Sequence, residues 1–274
     1  MTYLLSAGGK QALAERLRQH PVLGFDLDGT LAPIGSNPEA VSLGPRIRSR
    51  LLALARRLPV VVISGRARGD VQRRFIGIPV CEVYGNHGIE PLHSSGILRD
   101  RIAAWSERMS RRLSTWPGVW VEDKRFSLTV HYRESPQPQQ AAAAARLIAE
   151  ELGGARLIDG KCCLNVLPSG FADKGRALLH AQQALARATA IYFGDDETDE
   201  DVFAGCDPAS VLGVRIGRRS RSRAAYFLRG QSEIEAVLRF VETSLGCSVR
   251  ADHPNGPNGP SRASQPRQPA RRRV

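Results

Sequence analysis

Gly24-Phe25-Asp26-Leu27-Asp28-Gly29-Thr30-Leu31 is the stretch on which the fold turns. The apolar run Val22-Leu23-Gly24-Phe25 has the make-up of a short buried strand, and Gly29 with Ala32-Pro33 breaks that strand into a loop. Asp26 and Asp28 therefore stand at a strand's carboxyl end, the edge at which open α/β sheets bind ligands. Residues two apart on an extended segment project to the same side, so two carboxylates meet there and repel unless a proton or a cation separates them. A hard divalent ion with oxygen ligands, most naturally Mg2+, meets that need.

Outward from this stretch the pattern repeats. Val60-Val61-Val62-Ile63-Ser64-Gly65-Arg66 is another buried-strand run, ending in a small hydroxyl residue and a glycine. Asp173-Lys174-Gly175 opens a helical pattern, and Ala190-Ile191-Tyr192-Phe193-Gly194 runs straight into the acidic loop Asp195-Asp196-Glu197-Thr198-Asp199-Glu200-Asp201. Helix-like and strand-like segments alternate up to Tyr84, where Gly85-Asn86-His87-Gly88 turns off the end of a third strand. That alternation predicts βαβ units and a mainly parallel sheet, an α/β fold.

From about Gly96 the periodicity changes. A helix over residues 97–115 carries Ile102, Trp105, Met109 and Leu113 at helical spacing, which reads as core. Two alternating strands follow, joined around Asp123-Lys124-Arg125, then an alanine-rich helix over 139–152 and a second strand pair over 155–167. Two helices on four strands make a compact α+β unit inserted between the third core strand and the Lys174 helix. The expected division is core 1–95, inserted cap 96–168 and core 169–249. His131, inside a cap strand, reads as a packing residue. Ser232 reads as the N-cap of a last amphipathic helix over 232–245.

Composition narrows the function classes. With 42% hydrophobic residues the chain has the means to bury a core. No stretch reaches the roughly eighteen apolar residues of a membrane span, and Met1–Gly9 lacks the basic flank and long apolar core of an export signal. The five cysteines show neither Cys-x-x-Cys nor zinc-finger spacing and read as free thiols. A cytoplasmic location is expected. Of the net charge of +12, residues 250–274 contribute six arginines against one aspartate. That proline-rich tail has almost nothing apolar to bury and reads as disordered. Without interleaved aromatic residues for base stacking, it argues against nucleic acid as a partner.

A strand-end aspartate pair, a strand-end serine, a lysine and a strand-end acidic loop, in that order, resemble the motifs of the haloacid-dehalogenase-like (HAD-like) phosphatases. Tyr84-Gly85-Asn86-His87-Gly88-Ile89-Glu90 and Gly194-Asp195-Asp196-Glu197-Thr198-Asp199-Glu200-Asp201-Val202-Phe203 are similar to those of the trehalose-6-phosphate phosphatase family. The resemblance covers roughly residues 20–245. It implies a HAD-like, Rossmannoid core with a C2-type α+β cap, and hydrolysis of trehalose 6-phosphate through an aspartyl-phosphate. The implied catalytic residues are Asp26 as nucleophile, Asp28 as general acid and base, and Ser64 and Lys174 as phosphoryl ligands. Implied Mg2+ ligands are Asp26, the backbone carbonyl of Asp28 and Asp195, with Asp196 and Asp199 close by. Arg66, Asn86 and His87 are substrate candidates at the mouth of the site.

In the cap, Glu122, Lys124 and Lys161 match the positions from which the family reaches the sugar hydroxyls. Asn165 stands where the family has a glutamate, and an amide both donates and accepts where a carboxylate only accepts. That departure keeps other glycosyl phosphates, such as sucrose 6-phosphate or a glucosylglycerate phosphate, as rival substrates. A non-catalytic sugar-phosphate sensor is the rival of another class, opposed by the presence of Asp26, Asp28, Lys174 and Asp195 together.

Overall fold

The computed structural model describes residues 1–35, 38–160, 162–171 and 173–251. The chain begins with β1 (Thr2–Tyr3), α1 (Ala7–Leu17), β2 (Val22–Phe25), α2 (Pro45–Ala55), β3 (Val60–Ile63), α3 (Arg68–Arg74) and β4 (Glu82–Tyr84). It continues through α4 (Gly96–Leu113), β5 (Trp120–Asp123), β6 (Leu128–His131), α5 (Pro138–Glu150), β7 (Ala155–Gly160) and β8 (Cys163–Pro168). Last come α6 (Lys174–Ala184), β9 (Ala190–Gly194), α7 (Glu200–Gly205), β10 (Val211–Ile216), β11 (Tyr226–Leu228) and α8 (Ile234–Ala251).

One sheet has seven strands in the order β1-β11-β10-β9-β2-β3-β4. Every pairing in it is parallel. Parallel strands covered on both faces are uniformly apolar, and every residue of β2, β3 and β9 is buried. Leu23, Phe25, Ile191 and Phe193 pack on one face with side chains of α1, α2 and α8, while Tyr84, Ala190 and Tyr192 pack on the other with those of α6 and α7. Each such side chain contributes on the order of 1.5–3 kcal/mol by leaving water. Phe25 and Phe193 stack across neighbouring strands with ring centroids 5.1 Å apart.

From β2 the chain winds outward to β3 and β4, and after the cap it returns on the other side through β9, β10 and β11. The reversal lies between β2 and β9, so the loops after β2, β3 and β9 open at a topological switch point. Asp26 follows β2, Ser64 follows β3 and Asp195 follows β9.

The second sheet, in the order β5-β6-β8-β7, is antiparallel. Its period of two divides the side chains by face. Leu128, Val130, Leu164 and Val166 join Ile102, Trp105 and Met109 of α4 and Ala145 and Ile148 of α5 in a separate core. Trp120, Glu122, Thr129, His131, Cys163 and Asn165 share the other face by register and line the cavity above the first sheet's strand ends.

The core sheet has two short strands, β1 at one edge and β11 beside it, that the sequence pattern did not reveal, because two or three residues carry no legible period. Ser232 does not cap the last helix: it lies in a 3-10 turn over Gln231–Glu233, with Gly230 at the cap position. The helix that follows runs to Ala251, beyond the expected start of the tail at 250. The rest of the tail, and Lys161, lie outside the described residues. Among the described residues, no helix is long and apolar enough to cross a membrane.

Candidate active site

The strand ends gather the charged residues into one buried cluster. Asp26 continues β2, its amide donating to the Phe193 carbonyl of β9 at 2.9 Å. Asp173 caps α6, its side chain accepting from the Arg176 amide at 2.8 Å, and this places Lys174 at the helix start. Lys174 is only 2% exposed and donates through Nζ to Asp26 Oδ1 at 2.9 Å and Asp199 Oδ1 at 2.8 Å. Asp199 is fully buried and also accepts from the Tyr192 hydroxyl at 2.7 Å and the Asp196 amide at 2.8 Å.

Electrostatics at this cluster are unbalanced. Burial pushes the Asp26 carboxyl well above its ordinary pKa, Lys174 opposes that, and Asp199, Asp195 and Asp28 add to it. Burial alone would lower the Lys174 ammonium, but the charges of Asp199 and Asp26 and its hydrogen bonds to them hold it above its ordinary value. Burial and the charge of Asp199 likewise drive the Tyr192 hydroxyl well up. Among the described residues, Lys174 forms ion pairs with two of these carboxylates, Asp26 and Asp199. Ligand oxygens of Asp26, Asp195 and Asp199 lie within 4.8 Å of one another, and an all-oxygen donor set suits a hard divalent cation.

Two glycines make room for this arrangement. Gly29 sits at φ +85°, and a Cβ there would fall 2.2 Å from Asp195 Oδ2. A Cβ at Gly65 would fall 2.5 Å from His87 Cε1. The His87 ring is 5% exposed, and among the described residues its Nδ1 has no hydrogen-bond partner. Its backbone holds the turn instead, the amide donating to the Ser64 carbonyl at 2.9 Å. Burial, followed by the charges of Lys174, Lys124 and Arg156, keeps the imidazole well below its ordinary pKa and so neutral near pH 7.

Sequence expectations meet this geometry unevenly. Asp26, Asp28, Arg66, His87, Glu122, Lys124, Asn165, Lys174, Asp195 and Asp196 line one cavity of about 510 Å3 between the two sheets. Asp28 does not join the acidic triad: Arg66 forks onto its carboxylate with two hydrogen bonds of 2.7 Å and also reaches Asp70 at 3.1 Å. Asp196 stays on the wall outside the triad, and Asp199 completes it. Ser64 is buried at the end of β3, its hydroxyl accepting from the Arg66 amide at 3.2 Å.

Asn86 is placed differently from the other substrate candidates. It is fully buried and lies off the cavity wall. Its Nδ2 donates to Glu90 at 2.7 Å and to the Lys124 carbonyl at 3.1 Å, while its Oδ1 accepts from the Ser127 hydroxyl at 2.6 Å. Those bonds tie the first cap hairpin to the core and engage both ends of the amide within the protein.

His131 is a correction, because it faces the cavity instead of packing in the cap's interior. Its Nε2 bonds Glu122 Oε2 at 2.9 Å, and Lys124 Nζ lies 3.7 Å from the same oxygen. Burial raises the Glu122 carboxyl, but the His131 hydrogen bond and the Lys124 charge outweigh it and hold the group below its ordinary pKa. The Asn165 oxygen accepts from the Thr129 hydroxyl at 2.8 Å, which occupies that oxygen within the sheet.

Arg215, which sequence reasoning missed, holds the acidic loop in place. It is 1% exposed on β10 and donates to the carbonyls of Asp195 at 2.7 Å and Asp196 at 3.1 Å and to Glu200 at 2.8 Å. The signal was a lone arginine inside the apolar run Val211–Ile216. Arg156 on β7 also escaped notice. It binds Asp201 through two hydrogen bonds of 2.5 and 3.0 Å, a second link between cap and core.

Comparisons with known proteins agree on where this chain belongs. A model of the trehalose-phosphatase family matches residues 24–232. A trehalose-phosphate phosphatase of Mycobacterium avium is 36% identical over 224 residues, covering 76% of this chain and 56% of the relative. The chain thus spans about half the length of the curated relatives it matches. Among solved structures, an Aspergillus fumigatus trehalose-6-phosphate phosphatase superposes with a TM-score of 0.59 at 25% identity, over 89% of this chain and 100% of that one. The C-terminal domain of the Candida albicans trehalose-6-phosphate phosphatase gives a TM-score of 0.69 at 19% identity, over 90% and 98% of the two chains, and speaks for the fold alone.

Proposed function

This chain belongs to the trehalose-phosphatase family, and on that premise we propose that it hydrolyses trehalose 6-phosphate to trehalose and phosphate with Mg2+ as cofactor. The observation that carries the reading is the cluster of buried Asp26, Lys174 and Asp199 with half-buried Asp195 at the floor of a cavity whose roof is the polar face of the cap sheet.

In this reading an Asp26 oxygen attacks phosphorus in line with the leaving sugar oxygen and forms an aspartyl-phosphate. Asp28, protonated once Arg66 has released one of its oxygens to the substrate, gives that proton to the departing sugar oxygen and then takes one from the water that cleaves the intermediate. Lys174 opposes the rise that burial imposes on the Asp26 carboxyl and screens it from the approaching phosphate. Ser64 holds a phosphoryl oxygen. Arg66 fixes the rotamer of Asp28 and, on substrate binding, exchanges one of its bonds for an oxygen of the substrate. Asp26, the Asp28 carbonyl, Asp195 and Asp199 would hold Mg2+, with Asp196 alongside; when bound, the ion supplies positive charge to the phosphoryl oxygens.

Glu122, Lys124, His87 and Asn165 read the sugar. Lys161 belongs to the same reading but lies outside the described residues. The chain divides accordingly into a core of 1–95 and 169–249 and a cap of 96–168, and its site of action is the cytoplasm.

Phosphate release from trehalose 6-phosphate tests the reading, with Asp26→Asn as the decisive variant. Turnover should fall by more than about a thousandfold while the fold survives, since an amide cannot serve as the nucleophile. Activity within tenfold of wild type would remove Asp26 from that role.

A further inference from the structure

Among the described residues, seven large hydrophobic side chains stand exposed, and only Ile34 and Trp120 of these lie on the wall of the active-site cavity. Trp120 is the anomaly. Tryptophan is mostly buried in folded proteins, yet here half of the side chain's surface, 51%, stays open. It is also not loose. The indole stacks on His131, its partner across β5 and β6, with ring centroids 4.0 Å apart and planes inclined by 16°. His131 is in turn held by Glu122 at 2.9 Å. A flat apolar surface is thus fixed in one orientation before any ligand arrives, which removes the entropy cost of ordering it on binding.

Its place along the strand indicates what it meets. The cap hairpin touches the core where the Lys124 carbonyl accepts from Asn86. Trp120 lies four residues back along the extended chain, roughly 13 Å from that contact, with Glu122 between. Phosphoryl chemistry belongs at the floor, beside Asp26 and Lys174. A group that reaches Trp120 must therefore be the far end of an extended substrate. Pyranose rings present a patch of weakly positive C–H bonds on one face, and the indole face is the negative side of its quadrupole.

We propose that Trp120, stacked on His131, is a specificity-determining platform for the hexose ring remote from the phosphate. This rests on the disaccharide-phosphate reading given above. The platform selects disaccharide phosphates over monosaccharide phosphates, since a single ring anchored at Asp26 does not extend to it.

The test compares wild type, Trp120→Ala and Trp120→Phe on trehalose 6-phosphate, glucose 6-phosphate and acetyl phosphate, a phosphoryl donor too small to span the cavity. In Trp120→Ala the ratio of kcat/KM for trehalose 6-phosphate to that for acetyl phosphate should fall about tenfold or more, and Trp120→Phe should restore most of it, because stacking of this kind follows the flat ring. Trehalose alone, titrated without turnover, should shift the tryptophan emission of wild type and leave that of Trp120→Phe unchanged. An unaltered ratio in Trp120→Ala, with wild type active on trehalose 6-phosphate, would overturn the platform alone. Wild type active on acetyl phosphate but not on trehalose 6-phosphate would overturn the substrate reading, and the platform with it.

Discussion

His87 occupies a position where fold and chemistry conflict: its ring is buried, neutral and without a partner for Nδ1 among the described residues, beside three cationic side chains. The consequence for stability has a definite sign. In the unfolded chain the imidazole titrates near its ordinary value of about 6.5, whereas the folded chain holds it neutral to well below that. As pH falls through that value, the unfolded state takes up a proton that the folded state refuses, so stability falls with pH. At pH 5.5 the loss should be about 1.4 kcal/mol relative to pH 7.5. His87→Asn, which suits the left-handed backbone at φ +57°, should lack this part of the slope in paired denaturant titrations at the two pH values. Identical slopes would mean that the ring takes up a proton inside the fold.

Asp26, Lys174 and Asp195 were legible in the sequence because each adjoins a glycine or an uninterrupted apolar run that marks a strand or helix end. His131 was misread although the signal was present: Leu128 and Val130 alternate with Thr129 and His131, so the histidine shares the polar face. The hydrogen bonds of Asn86 were not legible in the sequence. Its role depends on Ser127 and on the Lys124 carbonyl, some forty positions along the chain, and only the docked hairpin brings them to it.

At the scale of elements, the cap hairpin β5–β6 and the core turn after β4 share one hydrogen-bond tie, made by Asn86. Asn86→Gly keeps the positive-φ backbone at no steric cost and removes only the amide, leaving Glu90 and Ser127 without it. Chemical denaturation should report a loss of about 2–3 kcal/mol, the cost of stranding buried polar groups. A change below about 0.5 kcal/mol would show that water replaces the tie. Element types in the cap were readable because Ile102, Trp105 and Met109 keep helical spacing and the strands alternate. Strand order was not readable, since β5-β6-β8-β7 is set by pairings between distant segments. The register of that sheet in turn decides which side chains face the charged floor.

For the whole molecule, the site exists because two cores meet at a switch point. The parallel sheet supplies a floor of charge and the antiparallel sheet a roof of hydrogen-bonding groups. Oxygens of Asp26, Asp195 and Asp199 gather within 4.8 Å of one another on that floor, a donor set that could hold a metal ion. Mg2+ at about a hundred times its dissociation constant should therefore stabilise the fold by roughly 2.7 kcal/mol, read as a rise in melting temperature that a chelator reverses. No shift with Mg2+, and activity that survives chelation, would remove the metal from the account.

The most direct measurement is kcat/KM for phosphate release, with Mg2+, from trehalose 6-phosphate, sucrose 6-phosphate, a glucosylglycerate phosphate and glucose 6-phosphate. A preference for trehalose 6-phosphate of about a hundredfold or more is predicted, because several cap contacts of about 1 kcal/mol each compound in the ratio. A higher value for any other member of the panel would contradict the assigned substrate and move the specificity of the cap to that sugar.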